Sequence, residues 1–292
     1  MAISGLMLAL AMLVQTPPQT QGPDTVEDVV VLAPSADRID AFASALLEPA
    51  RLGRNAGQIA RWSEKLCVRV IGAEPTVNAR LGEQIVEEFQ SLNVPVHEGY
   101  CRNPNVMVVV ADNATGFARV FADRYSNRMF ANRRGDMAGF IDPARPVRWQ
   151  HRTRTVGQRP AGDSQFTIGS TTVPAIALSN ARLALSTAEE VDRAMLVVDP
   201  RRLGDTPSRG VAAYIAFATL LDLPLQPDTT GRDTILNLFE PGGPTALTAW
   251  DRALLTGVYA MQTSQPFQVQ QSQIEHTMRR VLTPAGPSNG SE

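Results

Sequence analysis

The stretch PSRGVAAYIAFATLLDLP, residues 207–224, contains no charged side chain between Val211 and Leu221. We predict a helix over 207–222, because Thr206 or Ser208 can cap it, Pro207 suits its first turn and Pro224 ends it. A helix without a polar face must be buried nearly all round. The simplest interpretation is therefore a central core helix, around which the remaining elements form layers.

Short apolar runs and amphipathic segments alternate on both sides of this helix. Their spacing predicts strands at 26–34, 66–73, 105–112, 146–154 and 193–200, and helices at 36–52, 78–93, 116–131, 248–261 and 267–282. The order predicts an α+β fold with a mixed sheet, the buried central helix and C-terminal helices. We expect a leader at 1–22, an N-terminal strand and helix at 23–60, a single domain at 61–282 and a disordered tail at 283–292.

The chain begins with an apolar run, Ile3 to Val14, followed by a polar segment that contains prolines. This pattern is typical of a secretory signal peptide, although no Lys or Arg precedes the run and no clean cleavage site follows it. The run is about 12 residues long, which is short for a membrane-spanning helix. We therefore predict a periplasmic or secreted bacterial protein, with an uncleaved N-terminal anchor or a misassigned start as the alternatives.

Cys67 and Cys101 are the two cysteines of the chain. In an oxidising compartment such a pair is expected to form a disulfide, so the pair agrees with the predicted export. Two unrelated buried thiols are the alternative interpretation. A zinc site built on these cysteines is not expected, because neither a CxxC motif nor a nearby group of histidines completes a set of four ligands.

The segment LTAWDRALLTGVYA, residues 247–260, resembles the C-terminal helix of matrixin-like metzincins, whose pattern is L-[ST]-x-x-D-x-x-x-[LI]-x-x-[LV]-Y. The matching residues are Leu247, Thr248, Asp251, Leu255, Val258 and Tyr259. Independently of the resemblance, Thr248 and Asp251 have the spacing of a capping box. Residues 234–237, TILN, occupy the place of the turn beneath the metal, with Leu236 instead of methionine. The ending is also similar to that of an uncharacterised family of exported bacterial proteins.

In the register of the metzincin motif, the central helix has lost its metal ligands. Tyr214 and Ala218 take the first two histidine positions, Ile215 takes the glutamate and Pro224 takes the third histidine. The three histidines, His97, His151 and His276, all lie outside 152–275. A zinc hydrolase needs imidazole ligands and a carboxylate base beside the bound water. The resemblance therefore implies a zincin-like domain without the zinc chemistry, and we predict no metal ligand, no cofactor and no catalytic residue.

Arginine is concentrated in one part of the sequence. Between Arg128 and Arg159 there are eight arginines against two aspartates, a local charge of +6 in a chain with a net charge of −2. The segment PVRWQHRTR predicts an exposed edge strand with candidate binding residues Arg148, Trp149, Arg152 and Arg154, and with His151 at the surface. An extended anionic peptide or envelope polymer would fit such a strand. The acidic pI of 6.0 argues against nucleic acid.

Two alternatives to a binding domain remain open. A hydrolase could use Ser164 in GDSQ, residues 162–165, or a carboxylate pair, although Asp199, Asp222, Asp233 and Asp251 also fit caps and turns. A purely structural component of the envelope is the other alternative. Neither identifies a substrate, and the expected function is a catalytically inactive domain that acts by binding.

Overall fold

The computed structural model describes residues 34–49, 57–99, 101–129, 136–157, 185, 187–224 and 226–283. The strands are β1 (Arg61–Trp62), β2 (Val68–Ile71), β3 (Val106–Val110), β4 (Val147–Gly157) and β5 (Thr187–Val198). The helices are α1 (Ala36–Leu46), α2 (Pro75–Ser91), α3 (Ala114–Met129), α4 (Asp136–Phe140), α5 (Ser208–Leu220), α6 (Ala249–Ala260) and α7 (Phe267–Leu282). The predicted leader, the strand at 26–34, Ser164 and the tail lie outside the described residues.

The five strands form a single mixed sheet in which β5 is central. β4 runs antiparallel to β5 along its whole length. On the other side, β5 pairs in parallel first with β1 and then with β3, and β2 is parallel to β3. The sheet is therefore mostly parallel, which agrees with the predicted α+β class and mixed sheet.

Helices cover both faces of the sheet, as the side chains of β4 show. Trp149 contacts Tyr214 of α5, whereas the next residue back, Arg148, donates a hydrogen bond to Thr115 of α3. Successive side chains of a strand point to opposite faces, so α5 and α3 lie on different sides of β4. On the α5 side, α2 packs against α5 and α6 packs against α7.

Helix α5 is buried along almost its entire length, as its composition predicts. Its residues from Gly210 to Leu220 are all buried. Neither predicted cap is used: the N-cap position is Pro207, and no side chain caps the first turn. The helix ends at Leu220, and the indole of Trp62 in β1 donates to the carbonyl of Thr219 at 2.7 Å. The apolar composition thus fixes the position of the helix without the help of a cap.

The cysteine pair joins the start of β2 to the loop that precedes β3. Cys67 and Cys101 are at disulfide distance, with their Cα atoms 6.3 Å apart, which confirms the predicted pairing at this level. Asn105 supports the same corner, because its side chain accepts from the Cys67 amide at 2.7 Å and donates to the Lys65 carbonyl. Within the described part of the chain, no helix is both long and apolar enough to span a membrane.

Candidate functional site

The four positions that the predicted register assigns to the metal motif lie in the protein core. Ile215 and Ala218 have no exposed surface, Tyr214 is 6% exposed, and Pro224 is buried as well. These residues are therefore neither the wall nor the floor of an open cleft.

Aromatic rings fill the space between α5 and β4. The ring of Tyr214 lies 6.0 Å from that of Trp149 on β4 and 5.2 Å from that of Phe239, which follows the turn at 234–237. Burial raises the pKa of Tyr214 well above its usual range. The guanidinium of Arg145 lies 5.4 Å from the centre of the Trp149 ring and covers its outer side.

Asp251 connects the turn at 234–237 to helix α6. Its carboxylate accepts hydrogen bonds from the Thr234 hydroxyl at 2.7 Å and from the amides of Ile235 and Thr248 at 2.8 and 3.0 Å. The predicted capping box between Thr248 and Asp251 is confirmed. Burial raises the pKa of Asp251 to about 6, and the hydrogen bonds from Thr234 and the two amides offset part of this effect. The residues that carry the metzincin resemblance therefore have a structural role here.

The last residue of the resemblance also supports the end of α5. The Tyr259 hydroxyl donates to the carbonyl of Leu220 at 3.0 Å, at the last turn of α5. Burial raises the pKa of Tyr259, so that the phenol remains a donor at all physiological pH values. Helix α6 thus positions both the turn beside α5 and the C-terminal end of α5.

The prediction of an exposed arginine face is wrong for Arg148, which is 0% exposed, and the candidate binding residue Trp149 is buried on the other face, with 1% exposed. Arg148 lies under α3, where its Nε donates to the Asp142 carbonyl at 2.7 Å and its Nη2 donates to Thr115 at 3.0 Å. Burial lowers the pKa of Arg148. Periodicity alone placed this side chain in solvent, because the pattern carried no information about the acceptors that α3 and the loop before β4 supply.

Arg152 and Arg154 remain partly exposed, with 34% and 39% of their side chains accessible. Both are paired with carboxylates: Arg152 with Asp192 at 2.8 Å, and Arg154 with Glu64 and Glu190 at 2.8 and 3.1 Å. These hydrogen bonds raise the pKa of both guanidinium groups. An anionic partner would have to compete with these carboxylates, which leaves a smaller cationic surface than the sequence predicts.

His151 lies in the core, and its predicted position at the surface is wrong. It is 5% exposed, and its Nδ1 lies 3.6 Å from a carboxylate oxygen of Asp222, two residues beyond α5. Glu189 on β5 is also buried and accepts a hydrogen bond from Thr155 of β4 at 2.7 Å. The alternation from Trp149 to His151 was the signal that both side chains share the inner face. Glu189 had no comparable signal in the sequence.

The other two aspartates that the sequence analysis named lie at the starts of different elements. Asp199 accepts from the amide of Arg201 and begins the short 3₁₀ helix Pro200–Arg202. The Asp233 carbonyl accepts from Thr248 at the start of α6. In the described part of the chain, no three His, Cys, Asp or Glu side chains form a group that could hold a metal ion.

A surface groove of about 480 Å³ lies at the N-terminal end of α5. Two loops form it, residues 202–207 before α5 and residues 238–245 after the 3₁₀ turn. Its lining includes both apolar and charged residues: the apolar ones are Leu203, Pro207, Leu238, Phe239 and Pro241, and the charged ones are Arg202, Asp205 and Glu240. Phe239 is shared between this groove and the aromatic contact with Tyr214.

Comparison of the chain with protein-family models, with curated proteins and with solved structures finds no match.

Proposed function

We propose that this chain is an exported domain on a degenerate zincin-like scaffold, which acts by binding rather than by metal-dependent hydrolysis. The observation that supports this proposal is the packing of Tyr214 between Trp149 and Phe239 at the position of a metal ligand. Because the neighbouring motif positions are Ile215 and Ala218, no side chain there can bind zinc or act as a general base.

An open catalytic cleft at this position would require the aromatic contact to separate. Exposing a buried aromatic side chain costs roughly as much as it gains on burial, about 2 to 3 kcal/mol for each ring. Trp149 and Tyr214 would both be exposed, and their neighbours on α5 would be as well. The packing therefore favours a permanently closed core over a cleft that opens for a substrate.

We place the binding surface at the groove between 202–207 and 238–245. An extended segment of a peptide or an envelope polymer fits a groove with a mixed apolar and charged lining. Because the lining contains the acidic Asp205 and Glu240 as well as Arg202, the groove does not require an anionic partner. Arg152 and Arg154 are then a secondary contribution to binding rather than its basis.

Elemental analysis and a peptidase assay test the catalytic half of the proposal. The purified chain is expected to contain no stoichiometric zinc and to show no peptidase activity that a chelator removes. One zinc ion per chain, lost together with activity on chelation, contradicts the proposal. Peptidase activity that survives chelation would support a hydrolase with a non-metal site instead.

A pair of matched variants tests the binding half. Thr245 is exposed and lines the groove, whereas Thr230 is exposed and does not line it. In a pull-down from an envelope extract, the wild type and Thr230→Arg are expected to retain the same partner and Thr245→Arg is expected to lose it. If Thr245→Arg retains every partner of the wild type, the groove is not the binding surface.

A further inference from the structure

The two loops that form the groove beside α5 are held by hydrogen bonds of their own backbone. In the loop before α5, the amide of Thr206 donates to the carbonyl of Leu203 at 3.1 Å. In the loop after the 3₁₀ turn, the amide of Gly243 donates to the carbonyl of Glu240 at 2.9 Å. A groove with such walls is preformed, and a partner therefore loses little affinity to the ordering of the protein.

Glycine allows the second loop to pack closely on its neighbours. A Cβ atom on Gly243 would overlap the carbonyl oxygen of Asn237. A Cβ atom on Gly210, in the first turn of α5, would lie 3.0 Å from the Leu238 side chain and 3.2 Å from the Thr245 carbonyl oxygen. The loop 238–245 thus rests directly on α5, which fixes one wall of the groove relative to the core.

The charged side chains of the lining are more acidic than basic. Arg202 lies 3.8 Å from the carboxylate of Asp199, which is outside the lining. Asp205 and Glu240 are exposed, and in the described part of the chain neither side chain takes part in an ion pair or a hydrogen bond. The side chain of the neighbouring Arg201 is not part of the lining. The groove therefore contains two unpaired negative charges and one paired positive charge.

The positive groups of α5 leave this excess in place. Arg209 donates to Glu87 of α2 at 3.0 Å and does not line the groove. The N-terminal end of a helix carries a partial positive charge of about half an elementary charge. Asp205, two residues before the N-cap Pro207, offsets this partial charge. Glu240 on the second loop then remains without compensation.

The apolar part of the lining offers a contact for an apolar side chain. Leu203 and Phe239 are half-buried, and Pro207 and Pro241 are exposed. In an extended peptide, an apolar side chain can occupy such a surface while its neighbours along the chain carry charge. A polymer of amino sugars would supply the positive charge but no apolar side chain. The lining as a whole therefore favours a peptide.

We propose that the partner of the groove is an extended peptide segment in which lysine or arginine flanks an apolar residue. This inference rests on the proposed function, because it names the partner of the same groove. It gives the partner the opposite charge from the one that the sequence predicts for a ligand of β4. Arg152 and Arg154 do not decide this charge, because carboxylates of the protein already pair with them.

Selection from a random heptapeptide library displayed on phage tests the charge of the partner. The wild type and Thr245→Tyr are used in parallel, since tyrosine blocks the groove without adding a charge that would itself select peptides. Peptides that only the wild type enriches are expected to carry a net positive charge, with lysine or arginine beside an apolar residue. Thr230→Tyr, at an exposed position outside the groove, is expected to enrich the same peptides as the wild type.

The outcomes of the selection separate this inference from the proposed function. Neutral or acidic peptides that bind the wild type and not Thr245→Tyr would overturn the inference and leave the groove as the binding surface. Equal enrichment by the wild type and Thr245→Tyr, or no enrichment by either protein, would contradict the groove as the binding surface and the inference with it.

Titration with the most enriched heptapeptide, made synthetically, measures the contribution of each acidic side chain. Asp205→Asn and Glu240→Gln are each expected to raise Kd about threefold, and the double variant about tenfold. Asp123→Asn, an exposed position on α3 with the same change in net charge, is expected to leave Kd unchanged. The differences should disappear in about 1 M salt. Thermal unfolding checks that the variants are folded, and a folded double variant with the Kd of the wild type overturns the inference.

Discussion

The two ends of the contact between β4 and α5 differ in chemistry although they share the same strand and helix. At one end, Trp149 packs on Tyr214, and neither of these side chains carries a charge. At the other end, the His151 imidazole lies 3.6 Å from the Asp222 carboxylate, and both side chains are buried. One interface therefore combines an aromatic half with a half that contains ionisable side chains.

The largest effect is expected from introducing a zinc-binding motif into the aromatic half. The combined change Tyr214→His, Ile215→Glu, Ala218→His and Pro224→His places polar and charged groups in a core without partners, and it adds volume at Ala218. We expect the cooperative thermal transition to disappear. Val120→Glu on α3 is the matched control, because Val120 is 67% exposed and a charge there should be tolerated. A folded quadruple variant that binds zinc would show an adaptable site instead of a fixed core.

Trp149→Ala removes the centre of the aromatic half and is expected to cost about 3 to 5 kcal/mol in the free energy of unfolding. The loss should be the same at pH 5 and pH 8, because no ionisable group is removed. Trp250→Ala is the control, since Trp250 is only half-buried and contacts Phe42 on the outer side of α6. Chemical denaturation at both pH values measures the difference. Equal losses of unfolding free energy in Trp149→Ala and Trp250→Ala would show that the buried aromatic contact stabilises the fold no more than the half-buried Trp250 does.

Asp251 offers a buried carboxylate that accepts hydrogen bonds from Thr234, Ile235 and Thr248. Asp251→Asn turns one acceptor into a donor that faces other donors, and we expect a loss of about 1 to 3 kcal/mol. Because burial raises the pKa of Asp251 to about 6, the wild type should lose stability as the pH rises from about 4 to 6, and the variant should not show this loss. Denaturation curves at several pH values across this range test both statements. If the unfolding free energy of the variant falls with pH as steeply as that of the wild type, groups other than Asp251 cause the pH dependence.

The smallest effect is expected on the outer face of β4. Arg152→Ala combined with Arg154→Ala should change the free energy of unfolding by less than about 1 kcal/mol, because both ion pairs are partly exposed to solvent. The difference should shrink further in 1 M salt. Arg148→Ala is the contrasting variant: it removes buried hydrogen bonds to Asp142 and Thr115 and should cost clearly more. If the double variant loses more unfolding free energy than Arg148→Ala, the arginines that stabilise the fold are Arg152 and Arg154 rather than the buried Arg148, which contradicts this expectation.

Much of the framework could be predicted from the sequence, because local signals agree with the tertiary structure there. The uncharged run of α5, the capping box of Thr248 and Asp251, and the cysteine pair all carry their own physical reason. The predicted strand at 193–200 was too short, since β5 begins at Thr187. Its first half is rich in charged residues, and a half-strand of that composition resembles a loop.

The candidate site was less predictable, because it depends on contacts between distant segments. Arg148 was assigned to the surface by the alternation along the strand, although Thr115 and the Asp142 carbonyl provide buried partners. Glu189 reaches the α5 side only through the bulge at Asp192, and a one-residue change of register reverses every side chain that follows. Such irregularities leave no periodic signal in the sequence.

The central claim, that the face of α5 around Tyr214 is filled core, is tested most directly by the solvent access of Trp149. Trp62→Phe combined with Trp250→Phe leaves Trp149 as the only tryptophan of the chain. Acrylamide quenching of this folded variant is expected to give a constant typical of a fully buried indole, the same at pH 5 and pH 8. A constant close to that of free tryptophan amide would mean that the aromatic contact opens to solvent, and it would contradict the account.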